Sequence, residues 1–280
     1  MGKKNNIIAF QGVEGAHSDM ACRQAYPYME TMAFASFEDA MQAVLDGTTS
    51  LCMIPIENSK AGRVAEIHNL LRNTELSIIG ECFQRIEHFL VAPKGTKITD
   101  ITDIYSHPQA LMQTKETLAG YNFKKHEYSN TAAAAQDVAK WNDKSKAAIS
   151  SRLAAELYGL DVILENIEDA NDNTTIFIVM SLAPIDVDPN EKTITSVLFT
   201  ARNIPAALYK ALGGFATNNV NLLKIESYIA PGTSNTAEFF ISFEGHPDRR
   251  NVQLAIEELG FFCRKIKVLG VYPADHKRYE

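Results

Sequence analysis

Through residues 7–181, short β-rich runs alternate with helically spaced apolar residues, and that alternation restricts this part of the chain to an α/β fold. Ile7 to Gln11 reads as a strand, and Ala16 to Tyr26 as a helix that Ser18 helps to cap. Phe37 to Leu45 reads as a second helix and Leu51 to Ile56 as a second strand, after which Val64, Ile67, Leu70 and Leu71 recur at helical spacing. This β-α-α-β-α opening implies a doubly wound sheet. Gly80 to Ala92 is strand material, and Tyr105 ends a short strand. In "SHPQALMQTKETL", Ser106 suits an N-cap and Pro108 a first helical turn. "NTAAAAQDVAKW" and "SSRLAAELYGL" form helices around an apolar bend, Ala147 to Ile149, and "NTTIFIVM" is again a strand.

At "SLAPIDVDPNEKT" prolines and acidic residues interrupt the pattern, which predicts a linker over 186–193. Beyond it the order is regular. Ser196 to Thr200 is a strand, Pro205 to Thr217 a helix, and Asn221 to Ile229 a strand; "APGTSN" is a turn. Ala237 to Phe243 is a strand, Asn251 to Leu259 a helix, and Phe261 to Val271 the last strand. That order, βαββαβ, is the ferredoxin-like split unit.

A chain of 280 residues has room for one large domain or two ordinary ones, and 46% hydrophobic content supplies a core. The net charge of −7 argues against nucleic acid, since phosphate binding needs clustered Lys and Arg. Lys3-Lys4 and Arg264-Lys265-Ile266-Lys267 are too short to reverse this. No stretch approaches the ~20 apolar residues of a membrane span, and Ile7-Ile8-Ala9-Phe10 is far short of a signal-peptide core. A cytoplasmic protein without a membrane partner is expected. Cys22, Cys52, Cys82 and Cys263 form no C-x-x-C pair, so neither zinc nor a disulfide framework is indicated.

Several clusters are candidates for chemistry. Strand 51–56 ends abruptly at Glu57-Asn58-Ser59, and ligands collect at the carboxyl ends of strands in open α/β sheets. Gly12 and Gly15 lie between a strand and a helix, where they make either a structural turn or a carboxylate cradle; the residues alone leave both open. Gln109 and Gln113 share one helix face. Asp169, Asn171 and Asn173 alternate as in a calcium loop, but the sixth and twelfth positions are Thr174 and Met180 where glycine and glutamate are needed. His17, His88 and His107 lack metal-site spacing.

"FQGVEGAHSDMA", "IPIENSKAGRV", "SHPQALMQ", "NTAAAA", "AAISSRLAAELYGL" and "NTTIFIVM" follow one another in an order that resembles prephenate dehydratase, and the trailing βαββαβ unit is similar to the ACT domain fused to that enzyme. The resemblance covers about residues 6 to 273. It implies a two-lobed, type II periplasmic-binding-protein-like catalytic domain over 1–185 and an ACT domain over 194–273. One lobe would be 1–77 with 174–181, the other 78–170. It also implies cofactor-free conversion of prephenate to phenylpyruvate, water and CO2 in phenylalanine biosynthesis. Loss of CO2 and the ring hydroxyl restores aromaticity, so no electron sink is required.

By resemblance, Thr175, Glu57, Asn58 and Gln109 are catalytic, while Gly15, Ala16, His17, Ser18, Ser59, Gln113, Thr131 and Phe177 bind substrate. Glu57, if its pKa is raised by burial, would supply or polarise a proton. The family's Thr-Arg-Phe triplet reads Thr175-Ile176-Phe177 here, so a guanidinium is missing. Period-2 geometry puts residue 176 on the face opposite Thr175 and Phe177. Arg63, Lys60 and Arg152 are candidates for a replacement charge. Ala16-His17 stands where the family more often has Thr-Phe.

In the ACT part, Ala206-Ala207-Leu208 stands in place of Gly-Ala-Leu. The Glu-Ser-Arg-Pro segment is matched only at Glu226 and Ser227, Tyr228 and Ile229 replacing its last two residues. The resemblance implies L-phenylalanine as an effector, bound at these positions, and ACT pairing into a homodimer or homotetramer. Two alternatives stay open: an amino-acid sensor whose catalysis has lapsed, and an arogenate dehydratase.

Overall fold

The computed structural model describes residues 6–229 and 237–279. The chain begins with β1 (Ile7–Gln11), α1 (His17–Ala25), β2 (Glu30–Phe34), α2 (Phe37–Leu45), β3 (Leu51–Asn58), β4 (Gly62–Arg63), α3 (Ala65–Asn73) and β5 (Ser77–Arg85). There follow β6 (Phe89–Ala92), β7 (Asp103–Ser106), α4 (Pro108–Gln113), β8 (Lys124–Glu127), α5 (Thr131–Trp141), β9 (Lys146–Ser150), α6 (Arg152–Tyr158), β10 (Asp161–Leu164) and β11 (Thr174–Ser181). The last third holds β12 (Thr193–Ala201), α7 (Ala207–Thr217), β13 (Leu222–Ile229), β14 (Ala237–Glu244), α8 (Arg250–Phe262) and β15 (Cys263–Pro273). Two compact units result, Met1–Val64 with Cys82–Phe177, and Ala65–Glu81 with Ile178–Glu280; the division falls inside β5 and β11.

The first unit is the two-lobed α/β arrangement. One sheet has the order β2-β1-β3-β11-β5, with β4 on β3; the other has the order β10-β6-β9-β7-β8. In β1, Ile8, Ala9 and Phe10 have no exposed surface, as a central parallel strand covered on both faces requires. The expected bend at Ala147 to Ile149 is instead part of strand β9, between β6 and β7, and those three residues have no exposed surface. A run of three apolar residues is too short to separate a buried strand from a bend by periodicity. β2, β8 and β10 had no expectation at all. The first two are edge strands without a buried residue, so no core-facing apolar alternation marks them.

Three further expectations are corrected. Gly80 to Ala92 is not one strand: β5 joins the first sheet and β6 the second, so the lobes part after Arg85 and not at 77/78. Ser106 does not cap α4; it lies in β7 and donates to Ile149 O (2.6 Å), while His107 Nδ1 accepts from Gln109 N (3.2 Å) as the cap. Ser18 does not cap α1, whose N-cap is Ala16 without a side-chain bond.

The second unit is the ferredoxin-like one, with sheet order β13-β14-β12-β15 and antiparallel pairing. Val197, Phe199, Ile241 and Phe243 face Ala211, Phe215, Ala255 and Leu259 of its two helices to make the core. Opposite that core, Ser196 Oγ meets Ser242 Oγ (2.8 Å) and Tyr272 OH (2.9 Å). Helix α3, expected with the first lobe, groups with this unit. His68 stacks on Tyr228 at 3.9 Å, and Lys267 Nζ donates to the carbonyls of Leu71 (3.2 Å) and Arg72 (3.3 Å), satisfying a helix end that lacks intrahelical partners. The expected turn at "APGTSN" lies outside the described residues.

Ala206, the N-cap of α7, sits at φ +59°, ψ 22°. The left-handed region costs a residue with a Cβ ~1–2 kcal/mol, of which glycine's greater chain entropy gives part back. Ala206→Gly is therefore expected to raise stability by about 0.5–1 kcal/mol, read as a higher urea midpoint.

Candidate active site

A cleft of about 400 Å³ lies within the first unit. The ends of β1 and β3 contribute Gln11, Pro55 and Asn58, and the hairpin after β3 contributes Ala61 to Val64. Ala16, His17 and Ser18 at the start of α1 form a second wall, and Asn130 and Thr131 at the start of α5 a third. Gln109 and Gln113 of α4 face the same space, as do Asn173, Thr175 and Phe177.

One hydrogen-bonded chain crosses it. Asn58 Nδ2 donates to Thr175 Oγ1 (2.9 Å) and to Asn173 Oδ1 (2.8 Å). Asn173 Nδ2 donates to Gln113 Oε1 (3.1 Å), which also meets His88 Nε2 (3.0 Å). An amide oxygen can only accept, so the His88 proton is assigned to Nε2. Asn58 is itself fixed, because its Oδ1 accepts from Lys60 N (3.0 Å) and Ala61 N (2.8 Å), an Asx turn that starts the hairpin. Every amide orientation is consistent with its neighbours. The Thr175 oxygen accepts from Asn58, which leaves its own hydrogen to be donated elsewhere.

Helix α1 opens at Ala16 without a side-chain cap, so first-turn N–H groups lie at the cleft wall, while the buried Asp19 of the same turn accepts from Gly15 N (2.9 Å) and offsets the helix dipole. Gly15 explains the approach: at φ +82° it makes the turn, and a Cβ there would lie 2.7 Å from Ala154 Cα. Ser151 Oγ donates to Gly15 O (2.5 Å). Gly15 is thus the packed turn, and the residues after it form the wall.

Glu57 is half-buried and is not among the lining residues; it pairs in the ladder with Arg63, which is. Ser59 lies outside the lining too, its Oγ donating to Asp172 O (2.9 Å) and accepting from Thr174 N (3.0 Å). Ile176 does not reach the cleft, whereas Thr175 and Phe177 do, as strand alternation requires. Ala206, Ala207, Leu208, Glu226 and Ser227 belong to the second unit, around the start of α7 and on β13. Burial pushes the Glu226 carboxyl up, but its bonds to Lys224 Nζ (2.9 Å) and Tyr228 OH (3.1 Å) outweigh this and hold it below its ordinary value.

Sequence reasoning missed Gln11, His88, Asn130 and Asn173. Asn173 was legible in principle, since it stands two residues before Thr175 on the same face of an extended segment. His88 was not, because only the fold brings it to Gln113.

No Asp or Glu lines the cleft among the described residues, and Arg63 is its one Lys or Arg. His17, His88 and His107 complete the titratable groups. The ring nitrogens of His17 are buried, and its ring meets that of His88 edge-on, with centroids 5.7 Å apart. Burial, then the neighbouring His88, pushes His17 down to about 3. Burial also lowers His88, against the opposing effects of Gln113 and Glu168. Among the described residues no cluster of His, Cys, Asp and Glu is arranged to hold a metal ion, and no helix is long and apolar enough to cross a membrane.

The prephenate dehydratase family profile matches residues 8–184. The chain is 43% identical to a bifunctional N-acyl-homoserine lactone acylase/prephenate dehydratase of Komagataeibacter europaeus, over 96% of each chain. It is 35% identical to arogenate dehydratase/prephenate dehydratase 2 of Arabidopsis thaliana, over 96% of this chain and 73% of the relative. The crystal structure of Arthrobacter aurescens prephenate dehydratase in complex with L-Phe superposes with a TM-score of 0.88 at 28% identity, covering 95% of this chain and 90% of that one. The chain belongs to the prephenate dehydratase family.

His17 ties stability to pH. Its value falls from 6.5 in the unfolded chain to about 3 in the fold, so between those limits the unfolded state binds more protons. Stability is then expected to fall as pH drops from 6.5 toward 3, with a slope of up to about 1.4 kcal/mol per pH unit from this residue. Urea midpoints measured across that window should fall less steeply for His17→Phe than for the unaltered protein.

Proposed function

We propose that this chain converts prephenate to phenylpyruvate, with release of CO2 and water. The observation that carries the reading is the Thr175 hydroxyl, held by Asn58 Nδ2 at 2.9 Å within a cleft lined by amides, imidazoles and one arginine. Prephenate is a dianion, and a lining without carboxylates does not repel it. In the reaction the bond from the ring to its carboxylate breaks, and its electron pair enters the ring. The C4–O bond breaks with its pair on oxygen, and one proton taken up from the medium completes the departing water. Thr175, accepting from Asn58, donates its hydrogen bond to the leaving oxygen as charge develops there. Gln109, Gln113 and Thr131 supply neutral polar contacts, the uncapped start of α1 at Ala16, His17 and Ser18 receives a carboxylate, and Phe177 packs against the ring.

Arogenate carries an ammonium where prephenate carries a keto oxygen. Among the described residues the cleft lining offers no carboxylate to pair with it, which favours prephenate. The bifunctional Komagataeibacter relative, 43% identical, motivates one second activity, cleavage of N-acyl-homoserine lactones, to be followed by release of homoserine lactone.

The ferredoxin-like unit is read as an ACT regulatory domain that takes L-phenylalanine at Ala206-Ala207-Leu208 and at Glu226-Ser227. The relative crystallised with L-Phe and the βαββαβ order support this. Pairing of such units into a homodimer or homotetramer, and a cytoplasmic location, complete the proposal.

Incubation with prephenate while phenylpyruvate absorbance is followed tests the reading. Turnover well above the acid-catalysed background is expected, with competing arogenate consumed more slowly; no turnover overturns it. Thr175→Val keeps the shape and removes the donor, and should lower kcat by about 10²–10³. Ile176→Arg should change kcat/KM less than threefold, because that side chain does not reach the cleft.

A further inference from the structure

We propose that Arg63 is the residue that binds a substrate carboxylate in this cleft, and that Glu57 acts through it as a positioning residue. The inference rests on the dehydratase reading and gives a role to the one Lys or Arg among the described lining residues, position 176 lying outside the lining. A dianionic substrate in a cleft of neutral amides needs at least one fixed cation, since amide contacts alone do not replace the hydration of a carboxylate.

Three cations near the cleft come into question, and the structure separates them. Lys60 Nζ pairs with Asp172 Oδ1 at 2.6 Å and is not among the lining residues. Arg152 pairs with Glu165 at 2.9 Å, lies over the Phe89 ring at 4.8 Å, and is likewise outside the lining. Arg63 lines the cleft and is exposed, so a guanidinium there can meet an incoming carboxylate with two parallel hydrogen bonds.

The hairpin explains why a carboxylate stands at the end of β3. Residues 57 and 63 face each other across the β3–β4 ladder, as do 58 and 62. Val64 N donates to Ile56 O (3.2 Å), so the 56/64 pair is hydrogen-bonded and the alternation makes 57/63 a non-hydrogen-bonded pair. At such positions the two Cβ atoms lie ~4.5–5.5 Å apart on one face of the ribbon, and opposite charges attract. Glu57 therefore restricts the arm of Arg63 without entering the cleft. The Asx turn of Asn58 and Gly62 at φ +79° set the register that puts the two opposite each other. Thus Asn58 holds Thr175, and the turn it starts places Arg63 opposite Glu57.

Steady-state kinetics with prephenate on the full chain tests this. Arg63→Met is expected to raise KM by about 10- to 100-fold with kcat within about threefold, and Arg63→Lys to recover part of the loss. Glu57→Gln should raise KM several-fold in the unaltered protein but leave it unchanged in the Arg63→Met background. A general structural role would not produce that non-additivity. Urea midpoints should match across the set, since Arg63 is exposed. If the unaltered protein turns prephenate over and Arg63→Met leaves KM unchanged, or if Glu57→Gln acts equally in both backgrounds, the inference is overturned. Absence of turnover in the unaltered protein overturns the dehydratase reading itself.

Discussion

Asn58 Nδ2 reaches Thr175 Oγ1 across 117 positions of sequence, and most of what the cleft is follows from that bond. For it to form, β3 and β11 must lie side by side in one sheet, and the strand alternation of β11 must turn Thr175 inward. It also fixes charge by default. A site whose central contacts are amide to amide and amide to hydroxyl has no built-in acid. Its polar contacts are hydrogen bonds preorganised in a partly buried space, where each is worth more than in water.

The imidazoles fit the same logic. His17 is kept neutral by burial, and His88 is lowered in the same direction while its Nε2–H donates a hydrogen bond to Gln113 Oε1. Neutral rings pack closely where two cations would repel. Permanent charge is left to the hairpin, whose exposed arginine pairs in register with Glu57. The acid, amide and hydroxyl that end β3 therefore have three separate tasks. Glu57 faces the ladder, Asn58 the cleft, and Ser59 the backbone at Asp172 and Thr174.

Helix α3 follows the first lobe in sequence but groups with the ferredoxin-like unit. It follows Val64 directly, yet its carbonyls are satisfied by Lys267 and its His68 stacks on Tyr228, beside Glu226. The chain leaving the cleft hairpin is thereby anchored on the ferredoxin-like sheet.

By itself the sequence determined the α/β alternation, the βαββαβ order after the proline-rich linker, and the polar stretch ending β3. These are local signals, set by periodicity, turn residues and the abrupt end of an apolar run. It also placed Ile176 opposite Thr175, because strand alternation is a property of the backbone alone. Only the tertiary structure decided that β9 is a buried strand, that β5 and β6 belong to different sheets, that α3 leaves the first lobe, and that Asn173 and His88 join the cleft. Each of these depends on which distant backbone donor or side chain satisfies a given group. Hydrogen bonding between residues a hundred positions apart leaves no periodic trace in either partner's neighbourhood.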